Sequence, residues 1–594
     1  MNQIIPKKSE TLPSWDLSDL YASPDDAALK KDLLSVGRKA KNFHKKFRNK
    51  IKQMDGAALA RSIVLYEKID EDLSRIMSYA QLVHAGQVTD SKIGKFYQTI
   101  QERVMAISAN LVFFTIELNA IGERSLSQKL KSNHLKNYAS WLSDLRAFRN
   151  YQLDEKTERL LIDKQISGRS AWNRLFDETM ARMSFRVMGK QKTIEQVLNM
   201  LSDSDGKNRK AGAKALGKEL EKKQELFALI TNTLAKDKEI EDRWRGYPSA
   251  QSSRNLSNQV DDEVVNALTA AVKTSYTDLS HRYYKLKAEW FGKRALDYWD
   301  RNAPLPNTGN TFYSWDDAKA LVIEAYTNFS PKLGSIGKLF FVNNWIDAEP
   351  RAGKMSGAFA HPTVPSAHPY LLLNFMGRPR DVMTLAHELG HGIHQILAGV
   401  QGHLKCETPL TLAETASVFG EMLTFRSLLD QEKDPAQRKT FLAGKVEDML
   451  NTVVRQIAFY DFELRVHEQR RQGELSVDQI CDIWLTVQSE SLGPAIRLHN
   501  EYKYFWCYIP HFIHSPFYVY AYAFGDCLVN ALYSQYEKSK HGFSEHYIKM
   551  LKAGGTLRHK ELLAPFNLDA SDPLFWSKGL GVIANLIDQL EELG

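Results

Sequence analysis

Apolar residues recurring at spacings of three and four, and long stretches in which proline is scarce, predict helices in this chain. Between Pro24 and Pro304 only Pro248 interrupts a sequence rich in Leu, Ala, Lys, Glu, Gln and Arg, so this half reads as a helical lobe. From Lys30 to Lys52 the basic residues interleave with Leu33, Leu34, Val36, Phe43, Phe47 and Ile51, which predicts a helix with a solvated basic face and not a nucleic-acid or lipid contact. Val382, Leu385, Ala386, Leu389, Ile393, Ile396 and Leu397 form a second apolar stripe, with Pro379 and Asp381 where a first helical turn wants them. Two intervals depart from the helical period. The stretch Phe185 to Ile194 predicts a hairpin turning at Gly189, and the runs Gly357 to Ala360 and Tyr370 to Phe375, bounded by Gly, Pro and His, predict strands just before the second stripe.

Size and charge add the setting. A chain of 594 residues exceeds what one core usually supports, so at least two lobes are expected. The charged stretch Ser202 to Lys210 is the candidate junction, giving an N-terminal helical lobe over 1–203 and a catalytic region over 204–594. The expected fold class is therefore mainly α, two-lobed, with a small β element. Hydrophobic content of 43% and charged content of 25% are those of a folded globular chain, and a net charge of +7 spread over this length makes no case for a nucleic-acid partner. Four cysteines, Cys406, Cys481, Cys507 and Cys527, contain no CxxC pair, which fits a reducing compartment. The opening Met1 to Lys8 lacks the apolar core of a signal peptide, and no run of 18 apolar residues occurs. The expectation is a cytoplasmic protein without a membrane partner.

Candidate chemistry enters with His387-Glu388-Leu389-Gly390-His391, which lies inside the second stripe. Four residues of helix advance roughly 400° and about 6 Å, so both histidines share a face and can reach one ion. Glu388 then stands beside that ion, placed to take a proton from a water whose pKa zinc lowers to about 7. A catalytic zinc site takes a third protein ligand. Leu397 excludes a histidine six residues after His391. Downstream, Thr408 as N-cap and Pro409 at the first position predict a further helix, on which the seven-residue spacing of Glu414 and Glu421 puts both on one face. One can bind the metal and the other accept a hydrogen bond from a ligand histidine. His394 and His514 read as structural histidines.

The combination of HELGHGIHQ with the downstream AETASVFGE resembles the thimet oligopeptidase-like zinc peptidases, particularly their oligoendopeptidase F branch. Trp15 to Tyr21 resembles that branch's opening, and Leu551 to Gly555 and Asp572 to Trp576 resemble its closing segments. The resemblance implies a zinc endopeptidase of oligopeptides, one Zn²⁺ per chain, with a deep cleft between lobes. It implies His387, His391 and Glu414 as zinc ligands and Glu388 as general base. In the region His511 to Tyr522 it implies a histidine and tyrosines facing the substrate, which map onto His511 and Tyr522, with Tyr518 next; Tyr520 reads as packing. Such side chains are the aimed donors that a developing oxyanion needs.

Other readings remain. An edge strand beside the metal can bind a peptide as an added strand, or merely support the helix. A helical metallocarboxypeptidase would need a cation for the terminal carboxylate, with Arg351 or Lys354 as candidates. A metal-free helical peptide-binding protein is the third.

Overall fold

The computed structural model describes residues 12–165, 167–306 and 312–594, and it is mainly helical. The opening Met1 to Lys8 lies outside the described residues. Seven short strands lie between the described helices: β1 (Phe185–Val187), β2 (Lys190–Lys192), β3 (Leu296–Asp297), β4 (Ile346–Asp347), β5 (Phe359–His361), β6 (Tyr370–Leu372) and β7 (Ile496–Arg497). The first two form the expected hairpin, with Met188 and Gly189 at φ 49° and 80° in its turn. The two positive dihedrals suit the right-handed twist of a tight hairpin.

The chain divides into two compact units that are each discontinuous in sequence. One comprises 1–149, 310–430 and 539–566; the other comprises 150–309, 431–538 and 567–594.

In the first unit the helices that matter here are α1 (Gly56–Gly86), α2 (Trp315–Phe329), α3 (Pro379–Ala398) and α4 (Thr415–Gln431). The run Lys30 to Lys52 forms the expected helix Ala27–Phe47, burying Leu33, Val36, Phe43 and Phe47, but Leu34 is on the solvent side. Helix α3 begins as its sequence predicts: Pro379 occupies the first turn, and Asp381 Oδ2 accepts the Arg378 amide at 2.9 Å. Its apolar stripe is buried, apart from half-buried Ile396. Strand β6 is central in a three-stranded sheet, pairing in parallel with β4 and antiparallel with β5, so β5 is an edge. Trp15 packs against this sheet, 6.4 Å from the Phe359 ring and 6.1 Å from that of Tyr370.

Helices α3 and α4 approach closely because Gly390 has no side chain. A Cβ there would lie 2.5 Å from the Ala416 carbonyl oxygen and 2.6 Å from the Ser417 Cα. From α2, the buried Tyr326 hydroxyl donates to Ala386 O at 2.9 Å, and it fills the space where a Cβ on Gly420 would stand. Phe329, Phe419 and Tyr547 close this crossing with ring centroids 4.6 to 5.4 Å apart.

The second unit is built around α5 (Val454–Gln472) and α6 (Tyr520–Lys538). Buried residues run almost without break from Tyr520 to Tyr533, so α6 is covered on all sides over that stretch and reaches solvent only in its last turn. Helix Pro573–Glu592 covers part of it, with Trp576 4.9 Å from Phe524. Among the described residues no helix is long and apolar enough to cross a membrane.

Gly390→Ala should be costly even though alanine favours helix, because the methyl group would have to displace backbone. Overpacking of this kind typically costs about 1–3 kcal/mol. Urea unfolding should show that loss, and metal titration should show weakened binding, since Glu421 on α4 and Glu414 immediately before it face the histidines of α3.

Candidate metal centre

His387 and His391 project from one face of α3, one turn apart, with ring centroids 5.0 Å apart and planes at 80°. Glu414 lies opposite them. Its Oε2 is 3.3 Å from His387 Nε2 and 3.4 Å from His391 Nε2. One donor atom from each of the three residues lies within 4.8 Å of the others, a group able to hold a metal ion. Glu421 Oε2 is 3.3 Å from the other nitrogen of His387, Nδ1. The two glutamates thus take different places around one imidazole. Glu388 is buried beside the histidines.

The route of the chain to Glu414 differs from the sequence pattern. Instead of one helix from Pro409 onward, a single turn Leu410–Ala413 ends at Glu414, and α4 restarts at Thr415. Thr408 does not cap that turn; its hydroxyl lies 3.4 Å from His394 Nε2. At the break, the Thr415 hydroxyl donates to Leu412 O at 2.6 Å, and the Tyr547 hydroxyl donates to Thr415 O at 2.7 Å. The interruption is therefore satisfied by side chains, as a buried break must be. Ser417 Oγ donates to Glu414 Oε2 at 2.7 Å and restrains the carboxylate.

In the second unit His511 opens the short helical turn His511–His514, and its Nε2 lies 3.4 Å from the Tyr522 hydroxyl. The Tyr518 and Tyr522 rings are 5.3 Å apart, and that of Tyr518 is 6.1 Å from His511. The structure brings these three together and separates Tyr520, which is fully buried and accepts a hydrogen bond from Asn258 Nδ2 at 2.8 Å. His514 pairs with Asp177 at 2.8 Å.

A sequence profile of Peptidase family M3 matches residues 199–582, well over half of the chain. The chain belongs to peptidase family M3. A second profile, Oligopeptidase F, matches residues 117–185. Oligopeptidase PepF of Bacillus subtilis is 26% identical over 99% of this chain and 88% of its own length. An oligoendopeptidase F homolog of Lactococcus lactis is 27% identical, with 88% of each chain covered. The crystal structure of oligoendopeptidase-F from Enterococcus faecium superposes with a TM-score of 0.71 over 95% of this chain and 98% of that one, at 20% identity, and shares its fold. This M3 peptidase is a metalloendopeptidase.

The electrostatics of the M3 centre favour a cation. Burial alone would depress the His387 imidazole, yet the hydrogen bonds it donates to Glu414 and Glu421, with Glu388 near, push it up to about 10. Burial would raise Glu414, but the two histidines hold it far below the usual carboxylate range. Burial raises Glu388, against the pull of His387 and His391 and of the Ala360 amide on edge strand β5. A proton and a metal ion compete for the same imidazole nitrogens. The three donor atoms that meet here form a group that could hold a metal ion in place of the proton. His394 is pushed down to about 4 by burial, which makes it a neutral packing group. In the second unit, burial and then Arg455 and His514 lower His511, which stays neutral with one N–H to donate.

A cavity of about 660 Å³ adjoins His391, lined among others by Pro365, Gln395, Val400, His403 and Thr408. Sequence reasoning missed two residues that shape the backbone around the His387, His391 and Glu414 cluster, Tyr326 and Tyr547. Nothing in their local sequence marks them, because their hydroxyls act on backbone 60 and 132 positions away.

Tyr520→Phe should lower stability by about 1 kcal/mol through loss of the Asn258 bond, with turnover little changed. Urea unfolding paired with peptide kinetics would check both halves of that expectation.

Proposed function

We propose that this M3 metalloendopeptidase is a cytoplasmic zinc enzyme that cleaves internal bonds of oligopeptides, with one zinc per chain held by His387, His391 and Glu414. The observation that carries this reading is the convergence of two imidazole nitrogens and one carboxylate oxygen within 4.8 Å of one another. Two nitrogens and an oxygen are the donor set of a catalytic zinc site, which keeps its fourth position open. Zinc bound there would lower the pKa of a water to about 7 and polarise the scissile carbonyl.

The chain's own residues do the rest. Glu388 takes the proton from the attacking water and returns it to the leaving amine; its raised pKa suits a group that must both accept and release a proton. Glu421 orients His387 through Nδ1, leaving Nε2 for the metal. His511, Tyr522 and Tyr518 donate hydrogen bonds to the developing oxyanion, a role supported by the resemblance and by their clustering. Edge strand β5 and the cavity beside His391 receive the peptide. The division into 1–203 and 204–594 is kept as a boundary of the catalytic sequence, near the start of the family profile at residue 199. It is not a limit of the compact units, which interleave. The cytoplasmic placement is supported by the four unpaired cysteine thiols.

The carboxypeptidase alternative needs a free cation. Arg351 is committed to both oxygens of Asp347, each at 2.6 Å, and Lys354 is buried and bonded to Asp347, Glu349 and Leu373. Neither is available for a substrate's terminal carboxylate. Mass-spectrometric identification of both products from a mixed peptide library tests the endopeptidase assignment, and stepwise loss of single terminal residues would refute it.

Glu388→Gln should keep zinc and lose nearly all hydrolysis, because the amide preserves shape and cannot accept the proton. Near-normal turnover of a zinc-loaded Gln variant would exclude Glu388 as the base. Glu414→Ala should weaken zinc binding severely and Glu421→Ala by only about 10–100-fold, as expected of a residue that orients a ligand. Metal titration of the two variants gives the order, and the reverse order would exchange their roles.

A further inference from the structure

The backbone between His511 and Tyr518 is irregular and strained. The turn His511–His514 ends at Ser515, and Phe517 stands at φ 59°, the left-handed region that a bulky residue rarely enters. Such a conformation is costly and persists only where its surroundings hold it. Three ionisable side chains from elsewhere in the same unit reach this backbone. Arg169 donates to Ile513 O at 3.4 Å and His514 O at 3.2 Å. Arg254 donates through Nε to Pro516 O at 3.2 Å, with its guanidinium 5.9 Å from the Tyr518 ring. Glu463, on α5, accepts the Phe517 amide at 2.9 Å. The Phe517 ring is fully buried, 4.8 Å from His467 and 6.0 Å from Tyr460.

Glu463 is an expensive residue to place there. It is 2% exposed, and its second oxygen has no hydrogen-bond partner. Burial, only partly opposed by the Phe517 amide and Arg254, pushes its carboxyl up to about 8, so the neutral acid prevails near pH 7. A leucine would fill similar space without desolvating a polar group. What the carboxyl adds is the bond to the strained peptide.

We propose that Glu463 is a positioning residue of the hydrolysis: by holding the Phe517 amide it fixes the left-handed turn that sets the direction of Tyr518 and the start of α6, which carries Tyr522. This rests on the reading of His511, Tyr518 and Tyr522 as oxyanion donors. Arg254 assists from the adjacent Pro516 carbonyl. A misplacement of donors by about 1 Å can cost up to about 10²-fold in rate.

The test is steady-state kinetics on one quenched fluorescent peptide, with zinc content and urea unfolding measured for each variant. Glu463→Leu should lower kcat by about 10–100-fold, with KM and zinc content little changed. Glu463→Gln should restore kcat to within about 3-fold of the parent, because its amide oxygen accepts the same N–H and it mimics the neutral acid. A folded, zinc-loaded Glu463→Leu with parental kcat would overturn the proposal, and so would equal losses in the Leu and Gln variants. Should Glu463→Leu fail to fold, Arg254→Met decides on the same criterion: a kcat loss at unchanged KM supports the turn's role, and parental kcat overturns it. Tyr518→Phe and Tyr522→Phe separate the two levels. If both keep full kcat, the donor reading itself fails; if they lose it while Glu463→Leu does not, only the positioning role of Glu463 fails.

Discussion

The distance at which α3 and α4 pass one another governs the cluster of His387, His391, Glu414 and Glu421. Carboxylate side chains are short, so Glu414 and Glu421 reach the histidines only if the two helix backbones nearly touch. Gly390 permits that approach on one helix, and Gly420 opens room on the other for the hydroxyl of Tyr326. That hydroxyl also bonds the Ala386 carbonyl, one residue before His387, so α2 is tied to the same crossing. Backbone contact at this level leaves little freedom for the carboxylates to drift. A preorganised cluster of donors follows from it.

Much of this was legible in the sequence, for reasons of range. The span of α3, its first turn and the shared face of His387 and His391 depend on residues within a few turns of one another, and the period of apolar positions reports them directly. The hairpin at Gly189 and the strands before α3 are equally local. The break at Glu414 was not legible, because what sustains it includes the hydroxyl of Tyr547, far along the chain. Trp15 looked like one residue of a short opening motif; its packing on Phe359 and Tyr370 emerges only when the opening segment meets a sheet far along the chain. The burial of Glu463 is likewise invisible to periodicity, since a glutamate on a helix reads as solvated until its neighbours are known.

The two units use buried carboxylates in opposite ways. At the candidate metal centre, Glu414 and Glu421 each pair with an imidazole, so their negative charges have partners, and the histidines hold Glu414 in its charged form. In the second unit Glu463 sits with a single amide donor, and its burial favours the uncharged form. One arrangement concentrates charge for chemistry. The other spends a polar group on the geometry of a single peptide.

The interleaving of the chain has a consequence for its synthesis. Helices α3 and α4 are complete by Gln431, but the Tyr547 hydroxyl that closes the break beside Glu414 is supplied more than a hundred residues later. A nascent chain on the ribosome therefore carries both histidines and both glutamates while the crossing that aligns them is still unfinished. The order that the Tyr547 hydroxyl gives to the backbone beside Glu414 is therefore among the last parts of this unit to be completed as the polypeptide is made.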